Sequence, residues 1–240
     1  MICFSNIINE IAQWFSNYGS LVFGPEEGGY PRYMYWLKGI AFSLELTILA
    51  AIIGVAIGII VAMGRISQNK ISRFLSTVYI DIIRGTPVLV QILFIYSVVF
   101  ADSNLPTLVV GAIAFGINSG AYVAEIIRAG IQGLDAGQLE AARSLGMTYP
   151  MAMKEIIIPQ AIRKILPTLV NEFIVLIKET SIIGYIAGND ILRANNIIIS
   201  QTYSAVEPLL TTAIIYLILT GTFTFIMRKI ERRLRAGDCR

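Results

Sequence analysis

The sequence predicts an all-α integral membrane protein with five transmembrane helices. Three observations carry that prediction. Of 240 residues, 55% are apolar and only 15% are charged, where an average soluble domain carries roughly 25% charge. Apolar runs of about 20 residues, the length that crosses a hydrocarbon core, recur five times. The basic residues gather in alternate connections between those runs. Backbone groups in lipid must be satisfied within the segment, so the runs are helices and not isolated strands.

The first span covers about 37–64, interrupted only by Lys38 at its start and by Glu45. The second, about 71–101, is overlong, and Asp81 and the run Arg84-Gly85-Thr86-Pro87 break it. Pro87 has no N–H to donate and disfavours a helical Thr86, so two helical pieces joined near the bilayer midplane are expected. The third, about 106–130, contains Asn118 and Glu125. The fourth, about 166–188, contains Lys178 and Glu179. The fifth, about 208–227, carries no charge.

Orientation follows from the connections, because Lys and Arg favour the cytoplasmic side. Residues 65–73, 128–164 and the tail from 228 hold fourteen basic and five acidic residues. Residues 1–38, 102–105 and 189–207 hold three basic and six acidic. The N-terminus is therefore expected outside and the C-terminus inside. Three regions result: an outer segment 1–36, a transmembrane domain 37–230 with a cytoplasmic loop at 131–165, and a short tail 231–240. In the outer segment Ile7, Ile8, Ile11, Phe15, Tyr18 and Leu21 fall at helical spacing. A helix lying in the interface is expected there, anchored by Trp14 and Tyr18. No Lys or Arg precedes Arg32, so the basic region of a signal peptide is missing.

Several chemistries are excluded by composition. There is no histidine, which removes imidazole catalysis and His-ligated metal sites. Cys3 and Cys239 stand alone at opposite ends, and no phosphate-binding GxxxxGK[ST] loop occurs. The chain is expected to be neither an enzyme nor a metal or ATP binder.

The loop 131–165 is too long for a simple turn. Asp135 can cap a short helix through Leu145, and Gly146 can end it in the left-handed conformation. Thr148 can cap a second helix with Pro150 in its first turn. The pair makes a helix–turn–helix elbow, a rigid knob able to press into another protein.

The residues of this elbow carry a resemblance. Glu140-Ala141-Ala142, then Gly146, then Ile156 and Ile158-Pro159 are similar in identity and spacing to the conserved cytoplasmic loop of bacterial ABC-importer permeases. Ile158 stands where that family usually has Leu. Arg84-Gly85-Thr86-Pro87 with Gln91, Asn118-Ser119-Gly120-Ala121-Tyr122 with Ala124-Glu125, Gly137-Gln138 and Lys178-Glu179-Thr180-Ser181 resemble its polar amino-acid branch, with Glu179 where Asp is commoner. The resemblance runs from about residue 37 to 230. It implies the type I importer fold: two permease subunits (a homodimer favoured over a heterodimer), two ATP-binding subunits and an external solute-binding protein. ATP and Mg would then sit on the partner ATPase. Gly137, Gln138, Glu140, Ala141, Ala142, Arg143, Gly146 and Pro159 would form the ATPase-coupling surface.

Charge inside a bilayer is costly and marks pathways or partners. The candidate pathway residues are Glu45, Arg84, Gly85, Thr86, Gln91, Asn118, Ser119, Tyr122, Glu125, Lys178 and Glu179. The spans hold five acids and two bases, which favours a side chain carrying positive charge, such as arginine, lysine or histidine; the resemblance to the polar amino-acid branch widens the expectation to polar or basic amino acids, glutamine included. Each candidate also has a purely structural reading. Gly116 and Gly120 form a small-xxx-small pair that would let Asn118 bond a neighbouring helix, and Arg84 and Glu179 would simply pair. An ion-gradient-driven transporter shares the midplane charges and the broken helix, but it needs no elbow.

Overall fold

A computed structural model describes residues 13–14, 16–22, 24–25 and 31–236, with side chains to residue 229. Among the described residues every regular element is helical. Ile7, Ile8, Ile11 and Phe15 of the expected interfacial helix lie outside them, as do Cys3, Cys239 and the end of the tail. Residues 16–22 are helical, and they pack on the bundle: Tyr18, Leu21 and Val22 meet Trp36, Ile191 and Ile198. The Tyr18 hydroxyl shares a hydrogen bond with Thr211 Oγ1 at 2.6 Å.

The first long helix, α1 (Tyr33–Ile66), lies against α4 (Thr107–Gln132), the most deeply buried helix of the bundle. Small residues set that contact. A Cβ on Gly116 would meet Ile53 Cγ2 at 2.5 Å, and one on Gly120 would meet Ile57 Cγ2 at 2.8 Å. Gly58 of α1 receives Val123 in return. The two backbones approach closely because neither helix offers a side chain at those steps.

The second span breaks where the sequence says it should. Helix α2 (Lys70–Gly85) is capped by the Asn69 side chain, and α3 (Val88–Phe94) runs on through a π-turn at Ile95–Val99. Thr86 and Pro87 between them are extended, and the two axes bend by 105°.

The elbow of the 131–165 loop follows. Helix α5 (Ala136–Ser144) is capped by Asp135 Oδ1, which accepts from the Gly137 N–H at 2.9 Å. It ends at Gly146, whose φ is +85°. The Gly146 N–H reaches the Arg143 carbonyl and the Met147 N–H the Ala142 carbonyl, closing the helix end as a left-handed glycine allows. Helix α6 (Tyr149–Ala152) has Pro150 in its first turn. The expected cap residue Thr148 precedes it, but its hydroxyl makes no capping bond; its backbone carbonyl accepts from the Ala152 N–H at 2.9 Å.

Helix α6 does not stop. A π-turn at Met153–Ile157 carries it straight into α7 (Ile158–Glu179). The Ile158 N–H reaches back five residues to the Met153 carbonyl, and Pro159, which has no N–H, takes the next position. The fourth apolar run thus sits on a helix that begins in the elbow. It finishes as a 3₁₀ turn, Thr180–Ile186, ended by a left-handed Ala187.

Helix α8 (Ile191–Thr202) then lies across the N-terminal part of α1, near Trp36 and Gly39. Asp190 caps it by accepting from the Leu192 and Arg193 N–H groups at 2.9 and 3.1 Å. Gly39 of α1 permits this seat, since a Cβ there would meet the Asp190 carbonyl oxygen at 2.8 Å. Burial pushes the Asp190 carboxyl up to about 6, against the two N–H groups and the Arg193 charge, which favour the ion. Helix α9 (Val206–Ala236) closes the chain and leaves most of its apolar surface uncovered.

Among the described residues three helices are long and apolar enough to cross a membrane: α1, α4 and α9 to Lys229. The bent α2–α3 pair makes a fourth if it counts as one span. Helix α7 falls short of that apolarity, because Arg163, Lys164, Glu172, Lys178 and Glu179 all lie on it.

Candidate functional site

The break in the second span is built around one side chain. In an uninterrupted helix the Ile83 carbonyl would accept from residue 87, but Pro87 has nothing to donate. Gln91, one turn into α3, supplies the missing donor. Its Nε2 donates to the Ile83 carbonyl at 2.7 Å, to the Thr86 carbonyl at 3.1 Å and to Thr86 Oγ1 at 2.6 Å. Thr86 Oγ1 in turn donates to the Ile82 carbonyl at 2.9 Å. The Ile82, Ile83 and Thr86 carbonyls at the break are therefore already served by Thr86 and Gln91.

Gln91 also ties the break to the centre of the bundle. Its Oε1 accepts from Asn118 Nδ2 at 2.9 Å, and Asn118 is only 4% exposed. Its neighbour Ser119 points to Glu172 of α7, Oγ to Oε1 at 3.5 Å. Tyr79 of α2 donates to the Ile117 carbonyl at 2.5 Å. Helices α2, α3, α4 and α7 thus meet in one polar junction.

Below this junction Arg84, Tyr122, Glu125, Lys164 and Thr168 line a cavity of about 360 Å³. The Arg84 guanidinium stands over the Tyr122 ring, 5.2 Å from its centroid, a cation–π geometry. Arg84 takes this position and forms no ion pair with Glu179 among the described residues. Glu125 is held by Arg128, one turn along α4, through both guanidinium and carboxylate forks.

The remaining candidates lie apart. Glu45 is exposed on α1, while Ser43, Leu46 and Thr47 beside it form the buried face. Gly85 is exposed at the end of α2. Lys178 is exposed and Glu179 half-buried at the last turn of α7. Lys164, Thr168 and Glu172 are absent from the candidate set, yet they belong with the cavity and the junction. Their spacing of four residues, one face of a helix, was the available signal.

At the elbow, Gly137, Gln138, Glu140, Ala141, Arg143, Gly146 and Pro159 are exposed, and Ala142 is buried under α5. The tip carries bare apolar groups: Leu145 is 84% exposed, with Tyr149 and Met151 beside it. The knob is braced from behind, because Lys164 donates to the Gly133 carbonyl at 3.0 Å and Arg143 to the Met147 carbonyl at 2.9 Å.

Residues 54–236 match the family described as the binding-protein-dependent transport system inner membrane component. The chain belongs to that family. It is 40% identical over 207 residues to a putative glutamine transport system permease of Rickettsia typhi, covering 85% of this chain and 95% of the relative. It is 36% identical over 216 residues to the arginine transport system permease of Bacillus subtilis, covering 87% and 96%. Among solved structures, an amino-acid ABC transporter crystallised with histidines matches with a TM-score of 0.80 and 48% identity, covering 84% of this chain and 94% of that one. An inward-facing methionine ABC transporter matches at 0.69 with 16% identity and so shares the fold. As an inner membrane component, the chain is a membrane permease of the ABC importer type, and both the polar junction and the elbow fall within the matched residues.

Proposed function

We propose that this chain is the transmembrane subunit of an ATP-driven importer of polar or basic amino acids. It would span the bacterial inner membrane five times, with the N-terminus outside and the C-terminus inside. The charge asymmetry of the connections supports that orientation. In this reading α7 is the remaining span, and its polar residues face the pathway and not lipid. Two permease subunits, two ATPases and an external binding protein make the working unit, with ATP and Mg on the ATPases.

The observation that carries the reading is the elbow. Helix α5 is closed at both ends, shows apolar groups at its tip, and adjoins a helix that runs on to the polar junction. ATP binding would draw two such knobs together and open the spans outward; hydrolysis would return them. The chain makes and breaks no bonds, and each of its two states must be favoured differentially by nucleotide and solute. In the 360 Å³ cavity the solute carboxylate would lie toward Arg84 and Lys164, and its ammonium group toward Glu172 in the adjoining junction. Relatives carrying glutamine and arginine names support an amino-acid cargo.

Reconstitution with the ATPase and binding protein in liposomes tests this. Uptake of glutamine or arginine should require ATP and survive collapse of ion gradients. Uptake that follows an ion gradient without ATP overturns the reading.

A further inference from the structure

Outside the junction, the outer end of the chain holds a second polar hollow. Two cavities, of about 500 and 390 Å³, lie between α8 and its neighbours: one against the 3₁₀ turn after α7, the other against α1. Arg193 lines both. Its side chain is half-buried, and its Nε is shut off from solvent without a hydrogen-bond partner. Among the described residues Arg193 forms no ion pair. The acid beside it, Asp190, spends both carboxylate oxygens on the N–H groups that start α8. Lys38 adds a second cation to the smaller cavity and has no ion pair there either. Ser181, Asn196 and Ser200 give the larger one a polar wall.

A cation drawn out of water normally has an anion to offset the desolvation. Among the described residues Arg193 feels the Asp190 charge but has no carboxylate in direct contact; two cations face the hollow, and the oxygens of that one acid are committed to the helix cap. The guanidinium fork fits a carboxylate in bidentate fashion.

We infer that Arg193, with Lys38, forms an outer receiving site for the α-carboxylate of the incoming amino acid, separate from the cavity beneath the junction. This rests on the import reading above. The solute would dock by its carboxylate at the mouth and pass inward, where Arg84 and Lys164 offer the next pair of cations. The contrast in position matters: Arg193 belongs to the outer connection and Arg84 to the middle of the second span.

The test uses the complete permease–ATPase complex in lipid nanodiscs, held by a non-hydrolysable ATP analogue so that the pathway faces outward. Labelled glutamine and arginine are the probes, each compared with its α-carboxamide. Arg193→Gln should raise the half-saturating concentration of the amino acids about ten- to hundredfold, the range for a lost charged hydrogen bond. Arg193→Lys should recover most of that loss. The carboxamides should bind wild type and Arg193→Gln alike, which a general loss of packing would not produce. Wild-type affinity in Arg193→Gln overturns the inference and leaves the import reading standing. An effect that disappears when anionic lipid is replaced by zwitterionic lipid also overturns it, since the anion would then be a headgroup phosphate. Failure of the wild-type complex to take up any amino acid with ATP overturns the import reading itself, and this inference with it.

Discussion

Replacing Gln91 with leucine should damage both stability and transport, and the structure sets the size of the effect. The Gln91 amide holds three acceptors on the far side of the helix break and accepts from Asn118. Leucine fills similar space but serves none of them. The Thr86 groups are exposed and can turn to water. The Ile83 carbonyl and the Asn118 amide lie in part-buried bonds, and Asn118 itself is 4% exposed. A buried polar group left without a partner costs about 1–3 kcal/mol, so the two together imply a loss of about 2–6 kcal/mol. Gln91→Glu sets a carboxylate oxygen against the Ile83 and Thr86 carbonyl oxygens while still accepting from Asn118, so its loss should be at least as large as that of Gln91→Leu. The assay is thermal unfolding of the detergent-solubilised subunit, read by tryptophan fluorescence at Trp36, with uptake measured in parallel. A Gln91→Leu subunit with an unchanged midpoint and full uptake would show that the junction does not hold the break, and the account of the bend would fail.

Other outcomes follow from the elbow and the outer helix. Gly146→Val forces a β-branched residue to φ +85°, a strain of about 1–2 kcal/mol; ATP hydrolysis in the complex should persist while uptake falls. Leu145→Asp places a charge at the 84% exposed tip. The subunit should stay folded but lose co-purification with its ATPase. Asp190→Asn keeps the helix cap, since Asn caps as well as Asp, without a charge to bury. The wild-type carboxyl titrates at about 6 when folded against 3.8 when free. Its folding is therefore most favourable below about 3.8 and weakens as pH rises through about 6. A wild-type melting temperature that does not fall across that window relative to Asp190→Asn would count against the burial of this carboxylate.

Much of the bundle was legible because membrane helices are written in runs of apolar residues, and α1, α4 and α9 match theirs closely. The break at Arg84–Pro87 was legible because proline chemistry is local. Gly146 was legible for the same reason: a helix end in the left-handed region calls for glycine. The start of α7 was not, since nothing local announces that a π-turn will join Ala152 to Ile158 and extend the fourth run into the elbow. Gln91 stood among the substrate candidates because it belongs, with Arg84-Gly85-Thr86-Pro87, to the motif that resembles the polar amino-acid branch. Its service to Ile83, eight residues back, needs the 105° bend to bring the two together. Glu45 is a polar residue in an apolar helix too, and sequence does not say which face of α1 meets α4. Arg193 is, in sequence, one charge of the 189–207 connection; only the fold shows that its neighbouring acid is already spent on the cap.

The unbroken passage from Tyr149 to Glu179 makes the elbow and the pathway wall ends of a single shaft. It spans 31 residues, about 45 Å at 1.5 Å per residue. Lys164, Thr168 and Glu172 lie along one face of that shaft at four-residue steps, each about 40° round from the last. That face meets the cavity and the junction. A displacement at the elbow is therefore carried to those side chains along one continuous helix, with no loop in between to absorb it.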